Sequence, residues 1–277
     1  MSVDYVKMHG ELAANGPYPA RFGSALITMV EPHVGHEHSY NRWYEDDHFN
    51  SGAMAMPWMF SGRRWVSPKS LQKLRYPADS KIANPVDLGK YISIYWLTDG
   101  RYDEHMAWTV ATNTRLRADE RVYMQRDHIY TSFQGYRGGV YRDEKGPRDI
   151  HALEYPYQGL VLEVIDAPAK DGRDKLVEWL KAEYVPGVLA GSDIAMCLFF
   201  QPTPLPADKM PYVKDVEGVD DRLTLLWFTE GDPAKSWDKV FAQSGDAVAK
   251  SGLGRVELVA PFIPTLPGTD KYVDELR

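Results

Sequence analysis

The chain has a single cysteine in 277 residues. Cys197 alone cannot make an intrachain disulfide or a multi-cysteine zinc site. No run of about 18 apolar residues occurs, which excludes a helical membrane span. The stretch MSVDYVKMHGELAANG lacks the apolar core of a secretory leader, so a cytoplasmic protein is expected. Basic residues are in deficit, 32 Lys and Arg against 39 Asp and Glu, for a net charge of −7. That balance argues against broad contact with nucleic acid or an anionic membrane. No GxGxxG follows a strand, and no Walker-type loop or GxSxG elbow occurs. Nothing indicates a flavin, a nicotinamide or haem, so no cofactor is expected. Histidine is missing from the second half of the chain: all eight lie at or before His151.

What is present is a degenerate repeat. Trp96-Leu97-Thr98-Asp99-Gly100 returns 131 positions later as Trp227-Phe228-Thr229-Glu230-Gly231. Trp43 has a counterpart in Trp179, and a strand-like run ending at Pro32 matches one ending at Pro168, both offset by 136. This period exceeds the 20–50 residues of solenoid repeats and predicts a duplicated half-domain.

Periodicity gives each copy the order strand–helix–strand–strand–helix–strand. In the first, strands are expected at Ser24–Val30, Met59–Val66, Tyr91–Thr98 and His128–Gln134. Helices are expected from about His38 and over Tyr102 to about Arg121. The second copy repeats this with strands at Leu160–Ile165, Ile194–Gln201, Leu223–Thr229 and Arg255–Phe262, and helices at Arg173–Leu189 and Pro233–Lys250. The expected fold is α+β: two ferredoxin-like βαββαβ repeats whose antiparallel sheets pack together as a fused α/β barrel. Residues 1–21 read as an irregular arm, 22–155 as the first repeat with its connector, and 156–277 as the second repeat with a Pro/Gly-rich tail. The loop Ser67–Asp87 is long enough to suggest a functional or mobile segment.

Trp43-Tyr44-Glu45-Asp46-Asp47-His48, Met56-Pro57-Trp58-Met59 and Ser61-Gly62-Arg63-Arg64-Trp65 resemble the first helix and second strand of the dimeric α/β-barrel superfamily. The likeness is closest to its EthD-like branch, in which a WYxxxH helix precedes a small-residue turn and an Arg-containing strand. The order of elements agrees in both halves, and the motif match covers residues 41–65. The resemblance implies cofactor-independent isomerases, cyclases, dehydratases, decarboxylases or quinone-forming monooxygenases, often acting on aromatic substrates. Some members of the superfamily have no known activity.

Candidate site residues follow from the asymmetry of the copies. Where the first copy has Asp47 and His48, the second has Glu183 and Tyr184. Histidine is the side chain best suited to proton transfer near neutral pH, so His48 is expected to be a general acid or base, with Tyr44 one turn before it. On the third strand Ile92, Ile94 and Trp96 share an apolar face, expected to lie under the helices, as does Trp227. Tyr91, Ser93 and Tyr95 then face a cavity between the sheets. By the same alternation His128, Tyr130 and Ser132 enter that cavity, and Ile129, Thr131 and Phe133 do not. His48, His128, Tyr130 and Tyr44 form the expected catalytic set. Tyr91, Tyr95, Ser93, Arg64, His36, His38 and Trp58 form the expected substrate contacts. Arg63 and Arg64 point to opposite faces, and either can be the one that enters. Glu163 and Glu257 interrupt apolar strands and are candidate partners for it. His33, His36 and His38 form an HxxHxH cluster with ligand character, but a substrate-contacting loop is the favoured reading and no metal is expected.

These residues predict a cofactor-independent acid/base enzyme acting on a small aromatic molecule, with a lyase performing elimination or C–C cleavage as the main reading. The alternatives are a cofactor-free monooxygenase, an isomerase or cyclase, or a non-catalytic binding protein for aromatic molecules. The expected partner is the small aromatic substrate; neither nucleic acid nor membrane is expected, and a homodimer stays open.

Overall fold

The computed structural model describes residues 4–56, 58–169, 172–205 and 215–277. Residues 1–3 of the expected arm, Pro57 of the second motif and the middle of the Pro-rich loop 202–221 lie outside the described residues. The arm is not irregular throughout. Helix α1 (Tyr5–Asn15) is capped by Asp4, whose carboxylate accepts from the Lys7 N–H at 3.0 Å. The first half continues with β1 (Phe22–Pro32), α2 (Glu37–Trp43), a π-helical run Tyr44–Met54, β2 (Met59–Val66), α3 (Lys69–Gln72), β3 (Tyr91–Thr98), α4 (Tyr102–Ala118) and β4 (Arg126–Tyr141). The second has β5 (Gly159–Asp166), α5 (Gly172–Trp179), a π-helical turn Leu180–Tyr184, α6 (Val185–Leu189), β6 (Ile194–Pro202), β7 (Arg222–Thr229), α7 (Pro233–Ser236), α8 (Ser244–Ser251) and β8 (Arg255–Pro264). The ends of α4 suit the helix dipole, with Asp103 and Glu104 in the first turn and Arg115 and Arg117 in the last. Among the described residues no helix is long and apolar enough to cross a membrane.

The eight strands form one antiparallel sheet in the order β1-β3-β2-β8-β5-β7-β6-β4, and β4 pairs back onto β1 to close it. The α+β character is as expected, and the two sheets expected to pack as a barrel are one continuous closed sheet. One seam is short, with Trp65 and Val66 facing Pro264 and Ile263. The other uses Gly135–Gly139, beyond the expected end of the fourth strand at Gln134. These residues are part of β4, which bends at an irregularity between Tyr136 and Gly139 and continues along β6.

The closed sheet has a dry interior. Ala25, Ile27 and Met29 of β1, Trp65 of β2, and Ile92, Ile94 and Trp96 of β3 meet Leu160, Leu162, Phe228, Leu258 and Phe262 from the second half, nearly all with no exposed surface. The expected cavity between sheets is therefore filled, and the assignment of faces is reversed. Ile92, Ile94 and Trp96 point inward, whereas Tyr91 and Tyr95 join the layer under the helices.

Trp96 and Trp227 are both buried but are not counterparts. Ala25 faces Trp96 and Leu160 faces Phe228, both pairs inside, while Val161 faces Trp227 on the helix side. Gly23 is an extra residue opposite β3 with no equivalent in β5, so the two WxTxG motifs sit one residue out of step. Trp227 takes the place that Tyr95 holds in the first half.

The loop after β2 is pinned. Gln72 donates to the Ser67 and Leu276 carbonyls, Arg75 to those of Leu88 and Gly89, and Tyr76 to that of Phe241.

Two stability predictions follow from this packing. Trp96→Ala empties the centre of the interior and should cost about 3–5 kcal/mol, read from denaturant unfolding. Glu163, fully buried under the second helix layer, accepts from Trp227 Nε1 at 2.8 Å and from Ser244 Oγ. Burial raises its carboxyl to about 7, against the pull of those hydrogen bonds. A raised carboxyl stabilises the fold below its unfolded value of 4.5 and loses that contribution as pH rises through about 7. A shift of this size is worth roughly 3 kcal/mol. Glu163→Gln should flatten the decline in stability between about pH 5 and pH 8, and an unchanged slope would refute the assignment.

Candidate active site

The described cavity that gathers both candidate histidines lies between the first half of the sheet and its own helices, with a volume of about 160 Å³. An apolar cavity of about 150 Å³ holds one benzene ring. Leu26 and Val30 of β1, Met59 of β2, Met106 and Val110 of α4, and Phe133 of β4 supply most of its wall. Among the described residues no Asp or Glu lines it.

His128 reaches this cavity because of a bulge. Met29 faces Tyr130 and Val30 faces His128, so Ile129 has no partner on β1 and the alternation of β4 reverses there. His128 thereby joins Thr131 on the helix side. Its Nδ1 lies 2.8 Å from Thr131 Oγ1, which in turn lies 2.8 Å from Thr28 Oγ1. The two hydroxyls orient the ring and leave Nε2 for a ligand.

His48 stands on the π-helical run. The wider turn brings it over Trp43, five residues earlier, with the rings stacked at 4.3 Å and 18°. Gly52 is required for this: a Cβ there would collide with His48 Nδ1. The same device recurs at Trp179 and Tyr184, stacked at 5.3 Å and 19°. Tyr44 and Tyr95 meet hydroxyl to hydroxyl at 2.5 Å on the cavity wall, and Gly62 leaves the space that the Tyr95 ring uses.

Arg126 brings the cavity its cationic side chain. It donates to the Tyr123 carbonyl and lies 4.6 Å over the Trp43 ring. Burial, reinforced by this charge, pushes His48 down to about 3 and His128 down to about 4, while Asp47 and Asp127 act weakly in the opposite sense. Both imidazoles are therefore neutral at physiological pH. Burial also holds the Tyr95 hydroxyl well above the usual phenol range.

The structure thus brings together five residues expected at the cavity, His48, His128, Ser132, Tyr44 and Tyr95, and separates the rest. Tyr130 points into the sheet interior, where it bonds Thr224 Oγ1 at 2.7 Å, because the bulge breaks its alternation with His128. Tyr91 and Ser93 are buried away from the cavity. Arg64 is also buried, paired with Glu45 and Asn41 and ringed by Tyr44, Tyr91 and Tyr40 at 4.2, 5.1 and 5.9 Å. Arg63 donates to the Tyr155 carbonyl at 2.6 Å. Trp58 occupies a turn with φ 71°, against Tyr18 and Arg101. The histidine cluster disperses: His33 goes to Asp127, His36 to Tyr123 and His38 to Asp274. Neither candidate acid pairs with Arg63 or Arg64: Glu163 bonds Trp227 and Ser244, and Glu257 lies 3.2 Å from Lys81. Sequence reasoning missed Arg126, Thr28 and Thr131. Thr131 stood in the set assigned to the other face, and only the bulge could have recovered it.

The matching space in the second half is occupied. The bulge recurs at Glu257, so Val256 stands where the first half has His128. By the same register Glu163 replaces Thr28 and Trp227 replaces Tyr95. The indole and the carboxyl bond each other across that space.

No family model and no curated protein matches the chain. Solved structures do. It is similar to a candidate monooxygenase of Fusobacterium nucleatum at 9% identity and TM-score 0.50, over 89% of this chain and 94% of that one. It is similar to an anthrone oxidase-like protein at 7% and 0.54, over 89% and 92%. A candidate chlorite dismutase matches at 14% and 0.51, over 92% and 98%. The expectation of a lyase is corrected by these neighbours, whose descriptions name oxygenase, oxidase and dismutase enzymes and no lyase. At such identities the likeness shows the fold alone, a ferredoxin-like α+β architecture.

Proposed function

We propose that this protein is a cofactor-free monooxygenase that oxidises a small, electron-rich aromatic molecule with dioxygen. The observation that carries the reading is the first-half cavity itself. Two neutral imidazoles and one cation converge on a ring-sized, otherwise mostly apolar space. An imidazole takes the proton of an aromatic hydroxyl, and Arg126 stabilises the phenolate that results. The phenolate passes an electron to dioxygen and the two couple at a ring carbon as a peroxide. Loss of the ring C–H proton with cleavage of the O–O bond leaves a quinone carbonyl and one water. One oxygen atom enters the product, the other leaves as water, and dioxygen is the only oxidant. A tetrapyrrole has several times the volume of the single ring that this cavity of about 160 Å³ matches, so haem does not fit it.

We place the chain in the EthD-like branch on the strength of the Trp43–His48 helix and Arg-containing β2. The two halves, 22–155 and 156–277, read as tandem copies. The recurrence of the aromatic stack on a π-helical turn, and of the bulge in the last strand, supports this.

Oxygen uptake with electron-rich phenols is the direct test. His48→Ala or His128→Ala should lower turnover about 100-fold or more with little change in Tm, and Tyr184→Phe in the second half should leave it unchanged. Full activity in both histidine variants would refute the acid/base assignment.

The pH profile gives a second check. The working base is the neutral ring, and both rings gain protons only at about pH 4 and below. Turnover should therefore stay level from about pH 8 to about pH 5 and fall as pH drops through about 4. An acid limb centred near 6.5 would contradict the burial of both rings.

A further inference from the structure

The helix that bears His48 has two working faces. One meets the cavity through Tyr44 and His48. A second face carries Glu37, His38, Asn41, Arg42 and Glu45, at the i, i+1, i+4, i+5 and i+8 spacing of a helical stripe. All five are bound by residues 265–277, which follow β8 of the second half. Asp270 Oδ1 accepts from Asn41 Nδ2 at 2.8 Å and lies 2.9 Å from Arg42 Nε. The Thr269 carbonyl accepts from Asn41 Nδ2 at 2.9 Å and from Arg42 Nη2 at 3.0 Å. The Gly268 N–H donates to Glu45 Oε2 at 3.2 Å, Asp274 meets His38 at 2.8 Å, and Arg277 meets Glu37 at 2.6 Å. Val273 and Leu276 are buried in the cluster that holds Tyr40 and Tyr44.

Two of these helix side chains are bridges. Asn41 Oδ1 accepts from Arg64 Nη1 at 3.1 Å, and Glu45 Oε1 accepts from the same guanidinium. Asn41 and Glu45 therefore tie residues 265–277 on one side to β2 on the other. Arg64 in turn lies 4.2 Å from the Tyr44 ring, whose hydroxyl meets that of Tyr95 on the cavity wall. A π-helical run needs outside restraint, because its wide turn is poorly favoured and rarely continues past a single turn. The run here has eleven residues, Tyr44–Met54, against five, Leu180–Tyr184, in the second half. The stacking of His48 on Trp43 requires that wide turn to be kept.

We propose that residues 265–277 are a strap through which the second half positions His48 and Tyr44, with Asn41 and Glu45 as positioning residues between the strap and β2. The half that lacks histidine thus completes the site of the half that has it. The inference concerns the same His48 as the oxygenation reading and rests on that reading only for its effect on turnover.

The test uses the full chain carrying Asp270→Ala; Asp270 is exposed, so the fold should tolerate its loss. In the wild-type protein the Trp43 ring current shields the His48 ring protons. Their NMR signals, identified by their loss in His48→Gln, should lie upfield of ordinary imidazole signals. In Asp270→Ala they should move back towards the ordinary position. Amide hydrogen exchange over residues 44–54 should rise about tenfold, the effect of losing a hydrogen bond to a charged group, while β5 to β8 exchange as in wild type. Asp270→Asn keeps an acceptor for Asn41 and should restore the wild-type signals and most of the protection. With a phenol that the wild type oxidises, Asp270→Ala should lower kcat about tenfold and leave KM within about threefold, since the base is displaced while the apolar wall stays. Unmoved His48 signals would overturn the proposal, as would exchange raised evenly along the chain or equal effects of Asp270→Asn and Asp270→Ala. So would an unchanged kcat in a variant whose His48 signals have moved. Displaced signals in a protein that oxidises no phenol in any form would leave the strap standing and remove the oxygenase reading.

Discussion

Strand β4 carries one residue more than its partner can face. Met29 opposes Tyr130, Val30 opposes His128, and Ile129 opposes nothing. Side chains along a strand alternate with a period of two, so one extra residue sends everything beyond it to the other face. His128 consequently lies on the side of Thr131 and Thr28 rather than that of Tyr130. The hydroxyl chain, the exposed Nε2 and the meeting with His48 all depend on that reversal. Without the bulge His128 would be aimed at the packed interior, where an imidazole would find chiefly aliphatic and aromatic neighbours.

Closure of the sheet sets the other limit. A closed eight-stranded sheet has a small inside, and here Trp65, Trp96, Phe228 and Phe262 fill it. A ligand must then sit between strands and helices. The two helix layers differ in what they leave open. In the second half Trp227, Glu163 and Tyr184 occupy the layer, and Ser244 and the indole satisfy the buried carboxyl. In the first half the corresponding positions hold Tyr95, Thr28 and His48, and smaller or less space-filling side chains leave a cavity. The aromatic stack on the π-helical turn is common to both, so the difference lies in side-chain volume rather than in backbone design.

Electrostatics complete the asymmetry. Low polarity around an imidazole disfavours its charged form, and a neighbouring guanidinium adds to that. The cavity therefore keeps two neutral bases beside one permanent cation. Such a set can stabilise negative charge and accept a proton, beside the apolar wall of Leu26, Val30, Met106 and Phe133.

The sequence by itself determined the order of elements, because strand and helix periods are written locally in runs such as SALITMV and YISIYWLT. It also determined which half holds the histidines, since their loss after His151 is a matter of composition. Pairing Trp43 with Trp179 and His48 with Tyr184 was legible for the same reason: the i to i+5 spacing is retained in both copies. Only the tertiary structure decided which face of each strand is inside. The alternation of Tyr91 to Trp96 is equally good read either way, and closure of the sheet selects between them. Bulges at Gly23, Ile129 and Glu257 leave no mark in hydropathy, yet each shifts the register by one. They separated Trp96 from Trp227, sent Tyr130 inward and brought Arg126, Thr28 and Thr131 to the site. Arg64 illustrates the limit: its motif was readable, but its ion pair with Glu45 among three tyrosines is a product of packing between helix and strand.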